Sequence, residues 1–176
     1  LGDVYKRQFY DKAKLVPFGE YLPFINFKSY FKIFERSNLF GWGFKRGKGS
    51  ELLSLPNGLN FVPLICYEAI FSNFLKPSVK DADFILQITN DAWFGKSIGP
   101  QQHLAQLRIR AIEYGLPVIR VANTGISAII DANGKVIKNL LVNNSGYFDS
   151  FIPSRKRSTI YGQFGDLIFL LLIFLT

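Results

Sequence analysis

The chain has 176 residues, enough for one domain with a real core, and its 48% hydrophobic content excludes general disorder. A formal charge of +8 arises from 21 Lys+Arg against 13 Asp+Glu, dispersed apart from short clusters such as Lys45-Arg46-Gly47-Lys48 and Arg155-Lys156-Arg157. No nucleic-acid-binding signature accompanies that charge, so no nucleic acid partner is expected. A single cysteine, Cys66, forbids an intramolecular disulfide, and one cysteine with one histidine, His103, argues against zinc; no cofactor is expected.

Taken in chain order, residues 1–8 lack periodicity and read as a non-native leader, set aside from fold reasoning. The chain does not begin with Met and contains none, and both termini read as cut. Residues 9–23 hold two prolines and a glycine, which predicts a short strand followed by an ordered loop. Over residues 26–40, Phe27, Tyr30, Phe31 and Phe34 recur at helical spacing. Residues 41–49 are glycine-rich but lack the spacing of a phosphate-binding loop and read as a surface loop.

Residues 52–55 and 59–65 read as two strands joined by Pro56-Asn57-Gly58, which places Cys66 at the end of the second strand. A helix interrupted near Pro77 is expected over residues 70–80, a strand over 83–89, and a loop from Asn90 to Gly95. The clearest helix covers residues 100–114, with an apolar face of Leu104, Leu107, Ile109, Ala111 and Ile112 and a stop at Gly115. A buried strand over 117–122 precedes a hairpin, residues 126–130 and 135–142, turned about Asp131-Ala-Asn-Gly134. Strands that alternate with a long helix make an α/β fold, and strands apolar throughout fit a sheet covered on both faces. The apolar run at residues 167–175 is too short to span a bilayer as it stands, and reads as the start of a truncated transmembrane helix.

A lone cysteine in apolar company is either a core residue or a nucleophile. A nucleophilic thiol needs a base or a cation beside it. His103 reads as a helix-face or packing residue ahead of a thiol-activating base. The other arrangement uses carboxylates and a lysine: Lys12, Lys14, Glu20 and Glu68 lie near ordered motifs, and a lysine ammonium can stabilise an oxyanion.

Five motifs run in one order: Tyr10-x-Lys12-x-x-Leu15-Val16-Pro17-Phe18-Gly19-Glu20; Ile65-Cys66-Tyr67-Glu68; Thr89-Asn90-Asp91-Ala92-Trp93-Phe94-Gly95; Gln102-His103-x-x-x-x-Arg108-x-Arg110-Ala111-x-Glu113; and Arg120-Val-Ala-Asn123-Thr124-Gly125-Ile126-Ser127. Together they resemble the apolipoprotein N-acyltransferases, a bacterial inner-membrane family of the nitrilase (carbon–nitrogen hydrolase) superfamily. The resemblance implies a partial nitrilase-type α-β-β-α sandwich over residues 9–160, with residues 161–176 beginning a truncated transmembrane helix. It implies Cys66 as nucleophile, Lys12 as the triad lysine, Glu20 as a supporting carboxylate, and Tyr67 and Glu68 as residues required for an intact site.

The family's chemistry is transfer of an acyl chain from a phospholipid, through a cysteine thioester, to the N-terminal amine of an apolipoprotein's diacylglyceryl-cysteine. The resemblance thus implies a phospholipid donor, an apolipoprotein acceptor and a catalytic domain on the periplasmic side of the inner membrane. The family's general-base glutamate and its membrane-spanning N-terminal part lie before the Tyr-x-Lys motif, so the chain is expected to be an incomplete fragment, inactive alone. Two other readings stay open: a soluble nitrilase-type amidase acting on a small amide, and a non-catalytic membrane-attached interaction module in which Cys66 is structural.

Overall fold

The computed structural model describes residues 8–21, 44–156 and 158–174. The helix expected over residues 26–40 and part of the glycine-rich stretch lie outside the described residues. Among the described residues six strands form one mixed sheet in sequence order: β1 (Leu53–Ser54), β2 (Asn60–Ile65), β3 (Phe84–Asn90), β4 (Val118–Asn123), β5 (Ser127–Ile130) and β6 (Val136–Leu140). The central strands β2, β3 and β4 run parallel, and antiparallel neighbours flank them. The parallel steps need crossovers, which α1 (Ser72–Leu75) and α2 (Gly99–Tyr114) supply.

Side chains alternate across a strand, so one set faces the helices. Val62, Leu64, Ile85, Val118, Ala128 and Ile130 make that set, and they pack on Leu75 of α1 and on Leu107, Ala111 and Tyr114 of α2. Each such fully buried aliphatic side chain contributes about 1.5–3 kcal/mol. The opposite face carries Ile88 and Val121, which are 57% and 52% exposed. Among the described residues the arrangement is thus one sheet with helices on one face. Pro63 stands beyond the two-residue ladder with β1, where a strand proline is tolerated.

Four expectations need correction. Residues 9–16 form no strand; an isolated bridge joins Pro17 to Tyr21, and the backbone around it bonds to glutamate side chains instead. The helix expected over residues 70–80 is divided: a 3₁₀ turn spans Cys66–Ile70, Phe71 is extended (φ −91°, ψ 103°), and α1 has only four residues. Asn90–Gly95 is not an open loop. Asp91–Phe94 is a 3₁₀ turn capped by the Asn90 side chain, which accepts from the Ala92 N–H at 3.1 Å. On α2, Ile109 and Ile112 are exposed, while the buried stripe of His103, Leu107, Arg110, Ala111 and Tyr114 includes two polar residues. Helical spacing found the helix; the polar part of its inner face answers to the site described below.

At the C-terminal end, α3 (Ile160–Phe164) is followed by α4 (Leu167–Phe174), whose residues are all exposed. Among the described residues no helix is long and apolar enough to cross a membrane.

Candidate active site

The parallel strands end side by side, and their C-terminal ends carry the polar residues. Cys66 follows β2 directly and opens the 3₁₀ turn with φ 52°. A side chain with a Cβ avoids that left-handed region, at a cost of about 1–3 kcal/mol, so the surrounding structure must hold it there.

Glu68 supplies part of that hold. It is fully buried, and its carboxylate accepts four hydrogen bonds. Oε2 takes the Ile65 N–H at 2.7 Å and the Tyr10 hydroxyl at 2.9 Å. Oε1 takes the N–H groups of Ala13 at 2.7 Å and Lys14 at 3.1 Å. One carboxylate therefore ties the end of β2 to the segment carrying Lys12. Among the described residues the coil of residues 8–21 has no ladder partner, and these bonds satisfy its backbone instead. Tyr10 is pushed above the ordinary tyrosine value, first by burial and then by the Glu68 charge. Glu68 is thus a positioning group, with no oxygen left over for substrate.

Lys12 is clamped at the other end. Its Nζ donates to both Glu20 oxygens, at 2.6 and 2.8 Å, and Glu20 Oε2 also accepts the Val16 N–H at 2.8 Å. The Lys12 side chain is only 12% exposed, so its charge is poorly screened. Glu20 lines one wall of a cavity of about 440 Å³. Cys66, Tyr67, Ile70, Trp93, Phe94 and His103 also line it. Tyr67 meets Phe71 edge-on, with ring centroids 5.1 Å apart. Of the five residues expected from the motifs, Cys66, Tyr67 and Glu20 line this cavity; Lys12 and Glu68 are not among its lining residues, and Lys12 is joined to it through Glu20.

Beneath Cys66 lies a buried polar cluster that the motif reading gave no role. Asp91 accepts from Thr89 Oγ1 at 3.1 Å and Arg120 Nη2 at 2.5 Å, and its Oδ1 is 3.0 Å from His103 Nδ1. Arg120 also donates to the Ile126 carbonyl at 2.9 Å and to Gln87 Oε1. Gln87 Nε2 donates to the Cys66 carbonyl at 3.0 Å, and His103 Nε2 is 3.1 Å from the same oxygen. His103 is therefore no mere packing residue, and it faces the Cys66 backbone. Burial would raise the Asp91 carboxyl, but the His103 hydrogen bond and the Arg120 charge outweigh it and hold Asp91 below the ordinary aspartate value. Burial lowers the Arg120 guanidinium, opposed by Asp91 and by the charge of the Cys66 sulfur.

The sequence did carry a signal for this cluster. Gln87 is the polar member of Phe84-Ile-Leu-Gln-Ile88, and a buried polar group in an apolar strand must find partners. Asp91 and Arg120 lie inside the motifs at the ends of β3 and β4.

The chain matches the carbon-nitrogen hydrolase family model over residues 3–147. A protein of Rhizobium rhizogenes named apolipoprotein N-acyltransferase is 49% identical over 150 residues, covering 85% of this chain and 28% of that protein. One of the same name from Rickettsia prowazekii is 46% identical over 165 residues, covering 93% of this chain and 32% of that protein. The chain spans from 26% to 32% of the length of the curated relatives it matches. Among solved structures, an amidase from Nesterenkonia sp. aligns with TM-score 0.46 and 21% identity, over 59% of this chain and 40% of that one. The family match agrees with the α/β, nitrilase-type fold expected from the motifs.

Proposed function

The chain belongs to the carbon–nitrogen hydrolase family, and from that premise we propose that it is the thiol-bearing part of an apolipoprotein N-acyltransferase at the bacterial inner membrane, facing the periplasm. Cys66 Sγ attacks the ester carbonyl of a phospholipid acyl chain. A C–S bond forms, the C–O bond breaks, and the thiol proton ends on the released lysophospholipid hydroxyl. The N-terminal amine of a diacylglyceryl-cysteine then attacks the thioester. A C–N bond forms, the C–S bond breaks, and the thiol is regenerated. Dividing one acyl transfer into two steps is what a covalent nucleophile contributes. Lys12, held by Glu20, supplies the positive charge for the oxyanion of each tetrahedral intermediate. Glu68 and Tyr67 shape the turn that presents the sulfur.

The observation that carries this reading is the seating of Cys66. It stands in a left-handed conformation at a strand's C-terminal end, on a cavity shared with the Lys12-bound Glu20 and walled by Ile70, Trp93 and Phe94. The exposed apolar side chains of α4 (Leu167–Phe174) support attachment to a membrane.

The test uses the complete gene product in phospholipid vesicles, with a diacylglyceryl-cysteine lipopeptide as acceptor. Acyl transfer to the lipopeptide amine, lost in Cys66→Ala, is the expected result. Hydrolysis of small amides without lipopeptide acylation would replace this reading with a nitrilase-type amidase. Neither activity, with a thiol inert to alkylation, would leave a structural Cys66.

A further inference from the structure

The proposed function gives no task to Gln87, although its side chain touches the nucleophile's own peptide. Gln87 is fully buried in β3, between β2 and β4. Its amide has one orientation open to it. Arg120 has only donors, so the Gln87 atom facing Arg120 Nη1 is the oxygen, and the nitrogen faces Cys66. His103 closes the other side. Its Nδ1 rests on Asp91, which brings Nε2 to 3.1 Å from Gln87 Nε2. The amide is thus held by Arg120 at one end and by the ring at the other, with an N–H directed at the Cys66 carbonyl.

Because Cys66 has φ 52°, its peptide is in a conformation the chain leaves unless it is held. A shift of that peptide moves Sγ relative to the cavity. From this geometry we infer that Gln87 is a positioning residue for the acyl-transfer step: fixed by Arg120 and His103, it holds the Cys66 carbonyl and so aims the sulfur. The inference rests on the proposed thioester chemistry for its rate effect, but the placement of the thiol can be read without it.

Two variants test this in the complete gene product. Gln87→Glu keeps an oxygen for Arg120 and removes the donor to Cys66. Gln87→Met keeps the approximate shape and removes both polar ends. A role limited to holding Arg120 predicts that Gln87→Glu reacts like the unmodified protein. The positioning role predicts that both variants lose on the order of 100-fold in single-turnover acylation of Cys66, with KM for the phospholipid vesicles unchanged. In parallel, alkylation of Cys66 by iodoacetamide should slow in both variants. That arm needs no lipid donor, so it decides the positioning role even if the unmodified protein forms no thioester, an outcome that would refute the acyltransferase reading alone. If Gln87→Met melts early, Gln87→Glu decides by itself. Wild-type acylation or wild-type alkylation in a folded variant, or a loss confined to KM, would overturn the inference.

Discussion

In the proposed reaction Cys66 presents its sulfur from a backbone conformation that residues with a Cβ avoid, and the groups that hold that turn converge on it. Glu68 binds the Ile65 N–H in front of it, Gln87 binds its carbonyl, and Arg120 holds Gln87 from the far side. Lys12 differs from these in being directed by a carboxylate that lines the cavity. In the proposed reaction a compact ammonium, held by the two Glu20 oxygens at 2.6 and 2.8 Å, also meets the oxyanion; a planar guanidinium is longer and wider. Lys12→Arg is therefore expected to fold normally and to lose on the order of 100-fold in acylation rate. Single-turnover kinetics with labelled phospholipid check it, and near-normal turnover would remove Lys12 from the chemistry.

At the scale of elements, the site depends on a coil that behaves as if it were a strand. Residues 8–21 are fixed by Glu68 and Glu20 carboxylates, and Gln8 adds a two-way pairing with the Ser54 backbone, at 2.6 and 2.9 Å. Sequence could not show this, since the partners of Glu68 lie 54 to 58 positions away. The strands and α2 were legible because their apolar spacing is local and their ends carry turn residues, as at Asn57-Gly58 and Gly115. The inner face of α2 was read wrongly at Ile109 and Ile112, because the helix turns polar His103 and Arg110 inward. The five motif residues could be singled out from the sequence as candidates, while Gln87, Asp91 and Arg120 come together only when parallel pairing sets β2, β3 and β4 in register.

A Cβ added at Gly125 would lie 2.2 Å from Asp91 Oδ2 and 2.6 Å from its Cβ. Asp91 is itself fixed by Thr89, His103 and Arg120, so it has little room to move. Gly125→Ala should cost about 1–3 kcal/mol, seen as an earlier thermal melt. An unchanged melt would mean that the loop after β4 yields freely.

For the whole molecule, the buried ionisable groups set opposite limits on stability. Asp91 is held below its unfolded value, so its contribution is present above the ordinary aspartate pKa of about 4 and is lost as the pH falls through the lowered folded value. Tyr10 is raised, so its contribution is full below the unfolded tyrosine value of about 10 and declines as the pH climbs above it. Melting as a function of pH should therefore show an acid limb that shrinks in Asp91→Asn and an alkaline limb that shrinks in Tyr10→Phe. Limbs unaltered by these changes would place the titrating groups elsewhere.

In the proposed reaction Cys66 carries the acyl chain. The most direct measurement is mass spectrometry of the Cys66 peptide, taken from the complete gene product after incubation with phospholipid vesicles and no acceptor. A hydroxylamine-labile acyl thioester on Cys66 that disappears when lipopeptide is added is the expected result. An unmodified Cys66 in protein that still acylates the lipopeptide would contradict it.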